Sequence, residues 1–224
     1  MLGALPSAIE AIAREHAAAL RADVIEAPPA PPELVPVAFG PYLSRNAGVA
    51  LELATLAVGS RPGEDAARAA FAEAQLNGRF ELVPGDPPLV LDAAHNRDGA
   101  AALAEALRPL VDDSPAIVCV SVLADKDAAG IAAELAPVTA IAVCTAADPG
   151  PAMGRPGAVA LEPNELAAAF TAAGAETEVV VDPLAACRRA IDLARHRNGV
   201  AVFGGSHYLL RHAWTVKRDQ SSSR

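Results

Sequence analysis

The run Leu89 to Gly99, LVLDAAHNRDG, holds the residues best equipped for chemistry in this chain. An apolar stretch ends in Asp92, two alanines, His95 and Asn96, and an Ala/Leu-rich helical pattern follows from Gly99. A carboxylate accepts hydrogen bonds, an imidazole carries a proton near neutral pH, and an amide both donates and accepts. Ligands of open α/β sheets sit outside the carboxyl ends of the strands, where a strand turns into a helix. The same residues have a structural alternative: Asp92 or Asn96 can accept from the free amides that open the next helix.

Four further positions carry the same ambiguity. Arg79 follows an Asn77-Gly78 turn; it is either a solvated side chain or a guanidinium suited to phosphate or ribose. Lys126, one of two lysines in the chain, stands in SVLADKD between Asp125 and Asp127. It is either ion-paired in its loop or a phosphate contact. Ser206 lies in GGSHY after an apolar run, where glycines admit a close ligand and a serine caps a helix equally well. Asn46 opens a helical pattern, NAGVALELATLAV, and on physical grounds alone favours capping. His207 and His212 read as surface or packing residues. The sequence contains no GxxxxGK[ST] phosphate loop, no GxGxxG after a strand, no GxSxG and no HExxH.

These positions need a scaffold, and the apolar pattern describes one. Short apolar runs at 80–83, 89–91, 116–122, 140–144, 178–181 and 200–203 alternate with helical patterns at 99–110, 127–135, 164–173 and 183–196. Strands apolar on both faces and separated by helices imply an α/β domain with a doubly wound, mostly parallel sheet over 79–216. Residues 1–78 read as mostly helical, at 8–21, 46–58 and 64–75, with a Pro-rich linker or loop over 27–36. Residues 217–224 read as a disordered tail.

Composition narrows the function classes. The chain has 224 residues, 52% of them hydrophobic but only 4% aromatic, so its core is built of Ala, Val and Leu. A formal charge of −9 argues against a nucleic-acid partner. Cys119, Cys144 and Cys187 form no metal-binding pattern and read as buried apolar residues. No run is long and apolar enough to span a membrane, and no signal peptide is visible, so a cytoplasmic location is expected.

Five ordered segments resemble the C-terminal half of the folylpolyglutamate and dihydrofolate synthases, relatives of the Mur ligases. Asn46 with AGVALELA resembles the family's NAxxAL helix. Asn77-Gly78-Arg79-Phe80-Glu81 resembles PGR-[LF]-E, LDAAHN at 91–96 resembles LDAAHNP, SVLADKD resembles a GxxxDKD loop, and VFGGSHYLL at 202–210 resembles the family's closing TGSLYLV. The resemblance implies a Rossmann-like C-terminal domain preceded by a helical remnant of the ligase central domain. It implies ATP/ADP with Mg as cofactor, folate and glutamate as small-molecule ligands, and amide formation through an acyl phosphate. Carried over by motif, Asn46, Arg79 and Asp92 would contact the nucleotide. His95, Lys126 and Ser206 would lie nearer the acyl phosphate or the incoming amino acid. The family's phosphate loop has no counterpart here, and phosphoryl transfer depends on such a loop and its metal. The chain is therefore expected to be inactive alone: a degenerate paralogue, a truncated reading frame, or half of a split ligase that works with a separate P-loop ATPase polypeptide. The alternative is a non-catalytic nucleotide- or partner-binding module.

Overall fold

The computed structural model describes residues 1–36, 40–74, 76–111, 114–149 and 157–222. The chain divides into two compact units, Met1–Gln75 and Leu76–Arg224.

The first unit contains helices α1 (Ser7–Ala19), α2 (Gly40–Val58) and α3 (Glu64–Glu73), with no strand among its described residues. Leu34, Leu51 and Ala67 form one buried cluster of this unit, with Phe71 packed against them, and Leu43 and Ala47 are buried as well. The Pro-rich segment is not a free linker. It carries a single 3-10 turn, Pro32–Leu34, and the Ala30 N–H donates to the Ser44 carbonyl. Gly48 makes this packing possible, because a Cβ there would overlap the Pro28 carbonyl oxygen at 1.9 Å. Helix α1 buries none of its residues. Ile9, Ile12 and Leu20, together with Leu53, Leu56 and Val58, leave about half or more of their surface exposed.

The second unit is a six-stranded sheet in the order β1-β2-β6-β3-β4-β5. Its strands are β1 (Glu81–Val83), β2 (Leu89–Leu91), β3 (Ala116–Val120), β4 (Ile141–Cys144), β5 (Glu176–Val179) and β6 (Val200–Gly204). Only β1 runs antiparallel, pairing Glu81 with Leu91. The other four pairings are parallel, and β6 lies between β2 and β3, with Val202 opposite both Val90 and Val118. The central strands are buried on both faces because helices cover both.

Alternation along the strands assigns each residue to a face. Leu89, Leu91, Ile117, Cys119, Ala201 and Phe203 join one cluster with α7 (Pro183–His196) and α8 (His207–Ser222). On the other face, α4 (Arg97–Val111), α5 (Ala128–Leu135) and α6 (Pro163–Ala172) pack in series. Their starts are set locally. Asn96 accepts from the Gly99 N–H at 2.7 Å, Asp127 from Gly130 at 2.8 Å, and Asp182 from Ala185 at 2.7 Å.

Two consequences follow for the site. The strands beside β6 lead into helices on one face, while β6 leads into α8 on the other. The loops therefore part at the carboxyl end of β6, which is where open α/β sheets leave a crevice. Secondly, α8 continues to Ser222, so residues 217–222 of the expected tail are helical, and 223–224 lie outside the described residues. Lys217 is anchored there by an ion pair with Glu81 at 2.6 Å.

Candidate functional site

The crevice holds a cavity of about 300 Å³ lined by His95, Leu123, Lys126, Gly205, Ser206, His207 and Tyr208. Three loops contribute: the one after β2, the one after β3, and the β6–α8 junction. The structure thus brings His95, Lys126 and Ser206 together, although they are far apart in sequence.

Each arrives by a distinct device. The His95 Nδ1–H donates to the Ala93 carbonyl at 2.8 Å, since a carbonyl can only accept. That fixes the tautomer of the neutral ring and leaves the lone pair on Nε2. Lys126 extends from the loop with Asp125 at 3.5 Å, a loose pair half open to water. Asp127 is occupied as the cap of α5, so the two aspartates of DKD have different tasks. Ser206 is buried, and its Oγ accepts from the Tyr208 N–H at 3.1 Å at the start of α8. Gly205 lets the chain turn in, with φ at +90° and no space for a Cβ, which would stand 2.4 Å from the Ser121 carbonyl oxygen.

His207, expected as a surface or packing residue, does reach solvent, but it also lines the cavity, with its ring 5.9 Å from that of His95. Its pKa lies below the ordinary histidine value. Desolvation is the main cause, Arg79 and then His95 add to it electrostatically, and Asp92 opposes them. The signal for His207 in the sequence was only its place beside Ser206. Cationic and donor groups therefore dominate the cavity: Lys126, two imidazoles and the amino end of a 16-residue helix. Such a set suits carboxylate or phosphate oxygens. Among the described residues no group of three or more His, Cys, Asp or Glu could hold a metal ion. The donor set fits the anionic part of a nucleotide or amino acid; it does not fit Mg.

The other three predicted residues lie differently. Asp92 is buried, with Oδ1 accepting from the Ala94 N–H at 2.8 Å and Oδ2 from the Phe80 N–H at 2.7 Å. Asn96, not Asp92, caps the next helix. Arg79 is half-buried in the turn that Asp92 holds, and its charge reaches His207. Asn46 belongs to the first unit and does not open its helix. Helix α2 begins at Gly40, with Pro41 in the first turn where an amide partner is dispensable, so Asn46 is an exposed residue well inside the helix.

Comparison with known proteins places this geometry in a family. The profile of the Mur ligase glutamate ligase domain matches residues 78–206, more than half of the chain. The dihydrofolate synthase/folylpolyglutamate synthase of Mycobacterium tuberculosis is 46% identical over 74 residues, which is 33% of this chain and 15% of that protein. The folylpolyglutamate synthase structure from the same organism, complexed with ADP and AMPPCP, superposes with a TM-score of 0.82 at 25% identity. That alignment covers 96% of this chain and 54% of the other, so the chain spans about half the length of that relative. A bifunctional synthase solved with Mn, AMPPNP and L-glutamate bound gives a TM-score of 0.63 at 26% identity, covering 82% of this chain and 41% of that one. The chain belongs to the Mur ligase glutamate ligase domain family and is homologous to the C-terminal part of folylpolyglutamate/dihydrofolate synthase.

Proposed function

We propose that this chain supplies the amino-acid- and nucleotide-facing wall of an ATP-dependent folate–glutamate ligase. The observation that carries the reading is the convergence of His95, Lys126 and Ser206 on one cavity at the switch point of the sheet. Lys126 and the positive amino end of α8 attract carboxylate or phosphoryl oxygens. In its neutral form the His95 ring offers the Nε2 lone pair to the proton that an attacking amine must lose. Arg79, beside His207, meets the nucleotide, and Asp92 serves by holding the Arg79 turn. Asn46, assigned to the nucleotide by its motif, lies in residues 1–75, read as a helical remnant of the central domain. Bound ATP would supply the phosphoryl group that activates a folate carboxylate. A Mg site and a phosphate loop would come from outside these 224 residues, from a P-loop ATPase part. The exposed Ile9, Ile12, Leu20, Leu53 and Leu56 support a covering partner of that kind.

The second reading is a non-catalytic nucleotide- or partner-binding module. One assay separates the two: glutamate- and folate-dependent ADP release by the chain, with and without the N-terminal half of a relative that carries the phosphate loop. The ligase reading expects no turnover by the chain alone and turnover when the half is added. Release by the chain alone overturns the need for an outside loop. No release with the half present overturns the ligase reading and leaves the binding module. Among the described residues no helix is long and apolar enough to cross a membrane.

A further inference from the structure

Glu81 stands outside the cavity, yet it gathers three donors. Its Oε2 accepts from the Gly78 N–H and the Trp214 indole N–H, both at 3.1 Å, and its Oε1 accepts from Lys217 Nζ at 2.6 Å. Trp214 and Lys217 lie on α8, the helix whose first turn carries His207. On the far side of Arg79, Asp92 holds the next amide but one, that of Phe80. The Gly78 carbonyl in turn accepts from the Ala93 N–H at 2.9 Å. Both neighbours of Arg79 have left-handed backbones, Gly78 at φ +68° and Phe80 at φ +45°. A non-glycine residue keeps that conformation only where its surroundings enforce it. A Cβ on Gly78 would also stand 2.6 Å from Leu210 Cδ1, so the turn lies directly against α8.

We propose that Glu81 is a positioning residue for Arg79: it fixes the Gly78–Phe80 turn to α8, so the helix that presents Ser206 and His207 to the cavity also sets where the Arg79 guanidinium stands. The inference rests on the proposed function only for what Arg79 meets. The fastening itself needs an ionised carboxylate, because charge-assisted hydrogen bonds are the strong ones. Burial pushes the Glu81 carboxyl up, but the bonds from Lys217, Trp214 and Gly78 outweigh it and hold the pKa below the ordinary glutamate value. Glu81 is therefore charged at neutral pH.

The test uses His207 as a reporter of where Arg79 stands. The charged groups acting on that ring are Arg79 and His95, which depress its pKa, and Asp92, which raises it; Lys126 shares the cavity. The ring titration of His207 is followed by NMR in the full chain, in Glu81→Gln, in Arg79→Gln and in the double variant. The expected result is a midpoint raised toward the ordinary histidine value in both single variants, with no further rise in the double. Trp214→Phe, which keeps the ring and removes the donor, gives a smaller rise and serves if Glu81→Gln does not fold. Lys217→Arg preserves a cationic donor and leaves the midpoint unchanged. A His207 midpoint that rises in Arg79→Gln but stays put in Glu81→Gln and Trp214→Phe overturns the proposal, as does one that ignores Arg79→Gln. ADP titration provides a separate arm, in which Glu81→Gln is expected to weaken binding about fivefold, the size of one net hydrogen bond. Absence of ADP binding by the unsubstituted chain counts against the nucleotide reading, while the titration still decides the positioning role.

Discussion

The Asp92 carboxylate accepts the Phe80 N–H at 2.7 Å across twelve residues of sequence, and with its other oxygen it accepts the Ala94 N–H. One buried side chain thus ties the turn before β1 to the loop after β2. Asp92→Asn leaves one of the two amides facing an amide nitrogen that cannot accept. It is expected to cost about 1–3 kcal/mol, and Asp92→Ala, which orphans both amides, is expected to cost more. Urea denaturation measures both. A loss of ligand binding in Asp92→Ala is therefore a loss of the turn and does not show direct contact.

Ser206 has two tasks that separate by substitution. Its Oγ caps α8, so Ser206→Ala is expected to lower stability by about 1 kcal/mol. Ser206→Asp restores a capping acceptor and the stability, but it places a carboxylate in the cavity. Thermal melts of Ser206→Asp should match the unsubstituted chain while its affinity for anionic ligands falls. Equal affinity would remove Ser206 from the binding surface.

Gly205→Ala should be among the costliest small substitutions. The left-handed backbone and the Ser121 carbonyl at 2.4 Å both oppose a side chain, and a loss of more than about 2 kcal/mol is expected. Gly63→Ala is the control, since nothing lies within 4 Å of its Cβ position. Denaturation midpoints of the two variants make the comparison.

The pH dependence of stability has a definite sign at His207. Its folded pKa is lowered from 6.5 by desolvation, then by Arg79 and His95. Above 6.5 the ring is neutral in both states and its contribution is complete. As pH falls below 6.5 the unfolded chain takes the proton first, and stability is lost until the folded ring is protonated as well. His212 is lowered too, by desolvation and by Arg211. His207→Gln is expected to flatten the stability profile below pH 6.5, and His207→Gln with His212→Gln to flatten it further. An unchanged slope in the double variant would contradict the placement of both rings.

The sheet was legible because its central strands are apolar on both faces and separated by helices with clear spacing. At the edge the pattern misleads. The sequence expects a strand at Glu178–Val181, whereas β5 covers Glu176–Val179, because pairing begins where β4 offers Ile141 opposite Glu176. Val181, apolar by type, is 68% exposed beyond the strand end. The cavity was half legible: DAAHN, DKD and GGSHY each mark a strand end, and parallel strands bring such ends to one edge. The positions of Asp92 and Glu81 were not legible in the same way. Glu81 meets Trp214 and Lys217, 133 and 136 residues along the chain, and no local pattern records those distances. The start of the helix carrying Asn46 was misplaced because a helix-favouring run hid an earlier start at Gly40.

An NMR titration of the full chain with L-glutamate and with ADP, read at His95, Lys126, Ser206 and His207, decides whether this cavity is the site. Saturable shifts are expected at these four residues for at least one ligand, diminished in Lys126→Ala. Shifts confined to other residues, or none at millimolar ligand, would contradict the assignment of this cavity as the site.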